Sequence, residues 1–142
     1  MNYKEIVNNN SSVIDLIKTH EGLRLNVYQC TAGKKTIGYG RNLDDNGISK
    51  DEADFMLRND VKETISCLER YEWFNGLNNA RRIAMIDMTF NLGLTRLLYF
   101  KKMIAAINAR DYTEASKQML DSRWARQVGN RATTLAKMMA NG

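Results

Sequence analysis

One glutamate has a type and position that favour acid catalysis. Apolar residues recur at helical spacing before Glu21, and Gly22 directly after it commonly ends a helix. That end of a helix carries partial negative charge, which raises the pKa of a carboxyl group. A raised pKa keeps the proton that a general acid must donate near neutral pH. The ordinary alternative is a surface glutamate paired with Lys18, and this feature alone fits that alternative better.

A second charged residue also opposes its helix dipole. Asn130 is expected to cap the last helix, so Arg131 begins that helix at its positive end. The ordinary alternative is a solvent-facing arginine. The functional interpretation is that a carboxylate on another element holds Arg131, because local violations of this kind concentrate at functional sites. The glycines of Thr36–Gly40 also have two interpretations. They indicate either a simple twist or bulge in the strand, or a backbone that a bound polymer approaches closely.

The elements that must position these residues begin with a helix from Ser11 or Ser12 to Gly22. Residues 25–28 and 36–40 then suit two strands, joined by a turn at Thr31–Lys34. Asp44–Gly47 is a strong turn signal. No other part of the chain favours strands.

From Ser49 onward the pattern is helical. Ser49–Glu52 forms a capping box, Asp111–Glu114 resembles one, and Gly93 and Gly129 are expected breaks between helices. The pattern predicts an α+β fold, mostly helical, with a cleft between two lobes. A small β-hairpin lobe is expected over about residues 11–60, and a larger helical lobe over about residues 61–142.

Composition limits the classes of function. A chain of 142 residues fits a single domain over 1–142, with residues 1–10 as a loose lead-in. Lys plus Arg number 21 against 16 for Asp plus Glu, and the net charge of +5 favours anionic partners without choosing among them. Since the basic residues are scattered, a nucleic-acid-binding module is disfavoured; it would predict affinity that falls steeply with salt.

Metal sites, disulfides and membrane segments are also disfavoured. Cys30 and Cys67 lack metal-type spacing, and one histidine cannot complete a zinc site, so neither a metal nor a cofactor is expected. The first ten residues lack the apolar core of a secretion signal, and no apolar run approaches the ~20 residues that span a bilayer. We therefore expect synthesis as a cytosolic protein without stable membrane insertion.

Several separated motifs together resemble the T-even phage lysozyme family. They are Glu21–Leu25, Tyr28 and Thr36–Gly40, then Arg58–Val61, Phe90–Gly93, Ser122–Trp124 and Asn130-Arg131. The family carries Glu, eight residues, usually Asp, five residues, then Thr. Here Glu21, Cys30 and Thr36 keep that spacing, with Cys in place of Asp. The resemblance covers nearly all of the chain from Ser11 to Arg131.

The resemblance implies the two-lobed fold and hydrolysis of the β-1,4 bond from N-acetylmuramic acid to N-acetylglucosamine in peptidoglycan. It implies that Glu21 is the general acid, that Thr36 helps to hold the attacking water, and that Arg131 pairs with the acid. Arg41 replaces a common histidine, and Asp60 matches that residue's partner. The implied sugar-contact positions are Asn42, Phe90, Met103 and Gln118, although Asn42 and Met103 depart from the usual side chains.

Cys30 is the main departure from the family. A carboxylate at this position normally positions or activates water. A neutral thiol is a poor base, whereas a thiolate can serve as base or nucleophile. The alternative is a structural or engineered substitution that leaves a weak or inactive enzyme. A bridge from Cys30 to Cys67 is not expected.

The resemblance implies a monomeric endolysin that stays in the host cytoplasm until a separate membrane-permeabilising protein gives it access to the wall. Two related alternatives remain open. A lytic transglycosylase breaks the same bond with one glutamate and no water-activating carboxylate, but Thr36, which is expected to hold a water, argues against it. An inactive relative would bind peptidoglycan without cutting it.

Overall fold

The computed structural model of the chain describes residues 12–142, with side chains from residue 13 onward. The chain divides into two compact units, one ending at Ala53 and the other covering Asp54–Gly142. This division lies earlier than the expected boundary near residue 60. The expected lead-in over residues 1–10 and the cap at Ser11 lie outside the described part, and Ser12 is the first described residue of the helix. The assignment of both units to one catalytic domain stays a prediction.

The first unit contains a helix and a small antiparallel sheet with the strand order β1-β2-β3. Tyr28 pairs with Thr36, and Thr36 pairs with Asn42. Thr36 therefore lies on the central strand, with neighbours on both sides. The described elements are α1 (Ser12–Glu21), β1 (Arg24–Gln29), β2 (Lys35–Gly38), β3 (Arg41–Asn42) and the single helical turn α2 (Leu43–Asn46).

The ends of these elements follow from local chemistry. Gly22 adopts φ +70°, and its N–H donates to the Lys18 carbonyl at 2.9 Å, which ends α1 as expected. The turn between β1 and β2 is also confirmed, since the Cys30 N–H donates to the Lys34 carbonyl at 2.9 Å. The returning strand was expected to reach Gly40 but ends at Gly38.

Two local expectations after the hairpin need correction. A third strand, β3, follows the hairpin. The turn expected at Asp44–Gly47 is largely the helical turn α2, because the Asn42 side chain accepts a hydrogen bond from the Asp45 N–H and so caps a helix.

Helices make up the second unit, which confirms the expected α+β class. Its core consists largely of methionine with leucine and alanine, and Met85, Met88, Met119 and Met139 are fully buried. Methionine fills irregular gaps between short helices because its side chain is unbranched and flexible. The helices are α3 (Lys50–Leu68, which begins in the first unit), α4 (Glu72–Asn75), α5 (Asn79–Leu92), α6 (Leu94–Leu98), α7 (Lys101–Asn108), α8 (Tyr112–Leu120), α9 (Arg123–Val128) and α10 (Asn130–Asn141).

The expected caps are confirmed in part. At α3 the Glu52 N–H donates to Ser49 Oγ at 3.2 Å and the Ser49 N–H donates to Glu52 Oε1 at 2.9 Å, a complete capping box. At α8 the Glu114 N–H donates to Asp111 Oδ1 at 3.1 Å. The Glu114 carboxylate, however, accepts from the side chain of Gln118 at 2.8 Å.

The last helix begins one residue earlier than expected. Asn130 is its first helical residue, and the cap is Gly129, which provides no side-chain hydrogen bond. The predicted Asn130 cap is therefore wrong, although the expected break at Gly129 is confirmed, as is the one at Gly93. Over residues 12–142, no helix combines the length and apolar composition needed to cross a bilayer.

Candidate active site

Glu21 is the exposed last residue of α1. The ion pair with Lys18, which was the alternative to a catalytic role for Glu21, does not form. Instead, Lys18 Nζ lies 5.6 Å from the centroid of the Tyr39 ring, within the range of a cation–π contact. The Glu21 carboxylate approaches the backbone of Gly40, which has φ +78°. The first unit thus presents a carboxylate at a helix end with no ion pair to Lys18.

Cys30 begins the turn between β1 and β2, and its thiol is partly exposed. Hydrogen bonds from the backbone N–H groups of Lys34 and Ala32 lower the pKa of this thiol and outweigh the opposing effect of burial, and the Thr36 hydroxyl adds a smaller contribution in the same direction as the backbone groups. These donors favour the negatively charged sulfur. The sequence pattern indicated a thiol at this position but not the donors around it.

Thr36 lies buried on β2, with only 3% of its surface exposed. Its hydroxyl donates to the Lys34 carbonyl at 2.9 Å and also lies within hydrogen-bonding reach of the Cys30 thiol. A hydroxyl has one proton, so it can donate either to that carbonyl or to a Cys30 thiolate, but not to both. The protonation state of the Cys30 thiol therefore affects whether the Thr36 hydroxyl donates to the Lys34 carbonyl in the turn. Both Cys30 and Cys67 are free, as expected.

Arg41 forms an ion pair with a residue that the sequence pattern did not suggest. Its Nη1 lies 2.8 Å from Glu52 Oε1 and donates to the Gly47 carbonyl at 3.1 Å. The Glu52 carboxylate thus takes part in both the capping box and the ion pair with Arg41. The expected pairing of Arg41 with Asp60 stays a prediction.

Asn42, a predicted sugar contact, is engaged locally. Its Oδ1 accepts from the Asp45 N–H at 3.0 Å, and its Nδ2 donates to Asp45 Oδ2 at 2.9 Å. These bonds hold the side chain at the start of α2. Its role toward a sugar stays a prediction.

Arg131 is held by a carboxylate on another element, as the functional interpretation expected. The carboxylate belongs to Asp87 on α5, whose Oδ1 accepts from Arg131 Nε at 2.7 Å. The Asp87 carbonyl also accepts from Arg131 Nη2 at 3.3 Å. Because Asp87 lies inside a helix and has no motif around it, nothing in the sequence pattern indicated this pair. The implied pairing of Arg131 with Glu21 stays a prediction.

The other predicted site residues line three cavities of the second unit. Phe90 and Arg131 line one of about 450 Å³ with an apolar wall. Asp60 and Phe90 line a second of about 380 Å³. A third cavity, of about 400 Å³, has the following lining residues: Tyr99, Phe100, Lys101, Lys102, Met103, Gln118, Asp121 and Ser122.

The residues predicted to contact sugar differ in accessibility. Phe90 is 42% exposed, whereas the side chain of Met103 is fully buried, and the Gln118 amide is hydrogen-bonded to Glu114. In the part of the chain that the structure describes, no three His, Cys, Asp or Glu side chains are grouped to hold a metal ion.

The family model described as phage lysozyme matches residues 18–140. The chain belongs to the phage lysozyme family. It is therefore a glycoside hydrolase that acts on peptidoglycan, and the matched segment contains Glu21, Cys30, Thr36 and Arg131. This membership confirms the resemblance that the motifs carried.

Relatives from different sources agree with this assignment. The chain is 26% identical to "Probable T4-type lysozyme 1" of Dictyostelium discoideum, over 93% of this chain and 95% of the relative. It is 32% identical to an "Endolysin" of Acyrthosiphon pisum secondary endosymbiont phage 1, over 84% of this chain and 82% of the relative. It is also 26% identical to "Pre-baseplate central spike protein Gp5" of Enterobacteria phage T4, over 95% of this chain and 28% of that protein.

The Arg41–Glu52 pair gives the lysozyme a pH-dependent stability. The bond from Arg41, followed by those from the Ser49 N–H and hydroxyl, lowers the pKa of Glu52 from 4.5 to about 2. A lowered folded-state pKa contributes stability above the unfolded-state pKa, and that stability is lost as the pH falls through the window from 4.5 to about 2. We expect Glu52→Gln to lower the thermal unfolding midpoint near neutral pH.

Glutamine keeps the capping geometry and removes the charge, so the comparison isolates the effect of the Glu52 charge. The midpoints of wild type and Glu52→Gln should converge as the pH approaches about 2. Melting curves followed by circular dichroism across this range provide the measurement. A difference that stays constant from neutral to acidic pH would show that the pair contributes nothing through Glu52 ionisation.

Proposed function

We propose that this lysozyme hydrolyses the β-1,4 bond from N-acetylmuramic acid to N-acetylglucosamine, with Glu21 as general acid and a Cys30 thiolate in place of the usual carboxylate. The observation that carries the proposal is the set of donors around Cys30. Two backbone N–H groups and the Thr36 hydroxyl lower the pKa of the thiol and so favour the thiolate, the form that can act as a base. Glu21, without an ion pair to Lys18, is available to exchange a proton.

The chemistry follows from these two groups. Glu21 donates its proton to the glycosidic oxygen as the bond from that oxygen to the anomeric carbon breaks. In one route Cys30 accepts a proton from a water that attacks the same carbon, with Thr36 holding the water. In the other, Cys30 sulfur attacks the carbon directly, and water then releases the sugar. Water attack inverts the configuration of the sugar, whereas the sulfur route retains it.

The product anomer and end group test the reaction. We expect wild-type enzyme acting on purified peptidoglycan to release free reducing ends. Inverted configuration, followed by proton NMR immediately after cleavage, would assign Cys30 as base, and retained configuration would assign it as nucleophile. Ends in the 1,6-anhydro form would overturn hydrolysis in favour of transglycosylation. The feature that favours transglycosylation is the absence of a carboxylate side chain at position 30.

The residues that would bind the glycan are proposed from the family resemblance. They are Asn42, Phe90 and Gln118, with Arg41, Asp60 and Arg131 in supporting roles. Met103, which is fully buried, would act by shaping the cavity that Gln118 also lines. Phe90 has the strongest structural support, because its exposed ring lines two cavities. The net charge of +5 favours binding to anionic cell-wall polymers.

We also propose that the enzyme acts as a monomer in host-cell lysis. It would remain in the host cytoplasm until a separate protein permeabilises the membrane. Support comes from relatives named "Endolysin" in two phages. Expression in a Gram-negative host should leave the culture turbid until the membrane is permeabilised from outside, and then clear it. Clearing without permeabilisation would exclude the need for a separate protein.

A further inference from the structure

Gly40 lies where no side chain can be added without displacing Glu21. A Cβ atom built on Gly40 would lie 2.7 Å from Glu21 Oε2 and 3.2 Å from Glu21 Cδ. Real Cβ atoms essentially never approach a neighbour to less than 3.0 Å. By contrast, a Cβ built on Gly22, Gly33 or Gly38 of the same unit would meet nothing within 4 Å. Among the glycines of this unit, the close approach is therefore specific to Gly40.

The atom that would be displaced is the end of a flexible side chain. A methyl group at residue 40 would push the carboxylate away and leave the backbone of α1 in place. Lys18 does not hold the carboxylate, since its ammonium lies over the Tyr39 ring. The carboxylate of Glu21 thus occupies the space that a side chain on residue 40 would fill.

We propose that Gly40 is a positioning residue for the general acid, because its lack of a side chain leaves room for the Glu21 carboxylate. The inference rests on the proposed role of Glu21. Proton transfer requires the acid to lie about 2.6–3.2 Å from the oxygen that it protonates. A misplacement of about 1 Å can lower the rate by about 10²-fold. Gly40 acts through the position of Glu21 and needs no contact with the substrate.

Two effects of a substitution at Gly40 must be separated. At φ +78° any L-residue with a Cβ is strained, and this lowers stability whatever the surrounding space. Gly93 has a similar φ of +83° and open space around its Cβ position, and it lies outside the turn that holds Cys30, so Gly93→Ala introduces the strain without the collision. Gly40→Asn is a second variant, because asparagine tolerates positive φ better than alanine while it still places a Cβ beside the carboxylate.

The experiment compares wild type, Gly40→Ala, Gly40→Asn, Gly93→Ala and Glu21→Gln on soluble peptidoglycan fragments, at a temperature where circular dichroism shows each to be folded. We expect both Gly40 variants to lose about tenfold or more in kcat while KM changes by less than about twofold. Gly93→Ala should melt earlier than wild type and keep its kcat within about twofold.

Each outcome decides the proposal. Wild-type kcat in a folded Gly40 variant would overturn it, and so would an equal loss of kcat in Gly93→Ala, since strain alone would then explain the effect. If Gly40→Ala does not fold, the result with Gly40→Asn decides. An active Glu21→Gln would refute the proposed function itself, whereas an inactive Glu21→Gln beside an active Gly40→Asn would refute the role of Gly40 alone.

Discussion

Glu21→Gln is expected to lower peptidoglycan lysis by about 10²–10⁴-fold while the protein stays folded. Glutamine has the shape of glutamate but cannot donate a carboxyl proton. The fold should tolerate the change, because Glu21 is exposed at the end of α1 and has no ion pair to Lys18. The rate at which permeabilised Gram-negative cells lose turbidity gives the activity, and thermal melting gives the stability.

A matched control separates the proton from the charge. Glu69→Gln neutralises an exposed glutamate just after α3, raises the net charge by the same amount, and should keep wild-type lysis. Residual lysis by Glu21→Gln above about a tenth of wild type would be too high for the loss of a general acid. Equal losses in both variants would point to attraction between the enzyme and the anionic wall.

Sequence pattern predicted the parts of the fold that depend on neighbouring residues. The stop at Gly22 and the box at Ser49–Glu52 each arise from backbone groups within a few residues, so their signals are local. The start of α10 was misplaced because Asn130 is a good cap by type, while Gly129 provides the bend in the backbone. Competing local preferences of similar size leave such boundaries uncertain by a residue or two.

The partners of the charged site residues could not be predicted in the same way. Asp87 meets Arg131 from a different helix, and only the packing of α5 with α10 brings the two together. Glu52 meets Arg41 eleven residues away and serves the capping box as well. The sequence pattern that marks Glu52 as a capping residue does not indicate that it also pairs with Arg41. Identity and spacing indicated the residues proposed for catalysis, whereas the partners of the charged residues depend on tertiary contacts.

The second large effect is expected at Cys30. Cys30→Ala should lose most lytic activity, because it removes the only group proposed to activate water or attack the sugar. Cys30→Ser should also be weak, since a hydroxyl is a far poorer base than a thiolate. Cys30→Asp should retain or increase the activity, because it restores the carboxylate usual in the family.

The pH profile gives these variants a direction as well as a size. If Cys30 acts as the thiolate, activity rises with pH as the thiol loses its proton, and the lowered pKa places that rise below the ordinary thiol value of 9.0. Cys30→Asp should move the rising limb to lower pH, since an ordinary aspartate pKa is about 3.9. Rates measured from acidic to mildly alkaline pH on one peptidoglycan preparation test this shift.

Alkylation provides an independent test, and Cys67 provides its control. In Cys67→Ala the remaining thiol is Cys30, so iodoacetamide should block lysis, and bound glycan should slow the labelling. In Cys30→Asp the remaining thiol is Cys67, and the same treatment should leave lysis unchanged. Both thiols are free, so no disulfide protects either from the reagent. Full activity in alkylated Cys67→Ala, or in Cys30→Ala, would leave Cys30 without a catalytic role and would assign water activation to Thr36 and proton donation to Glu21 alone.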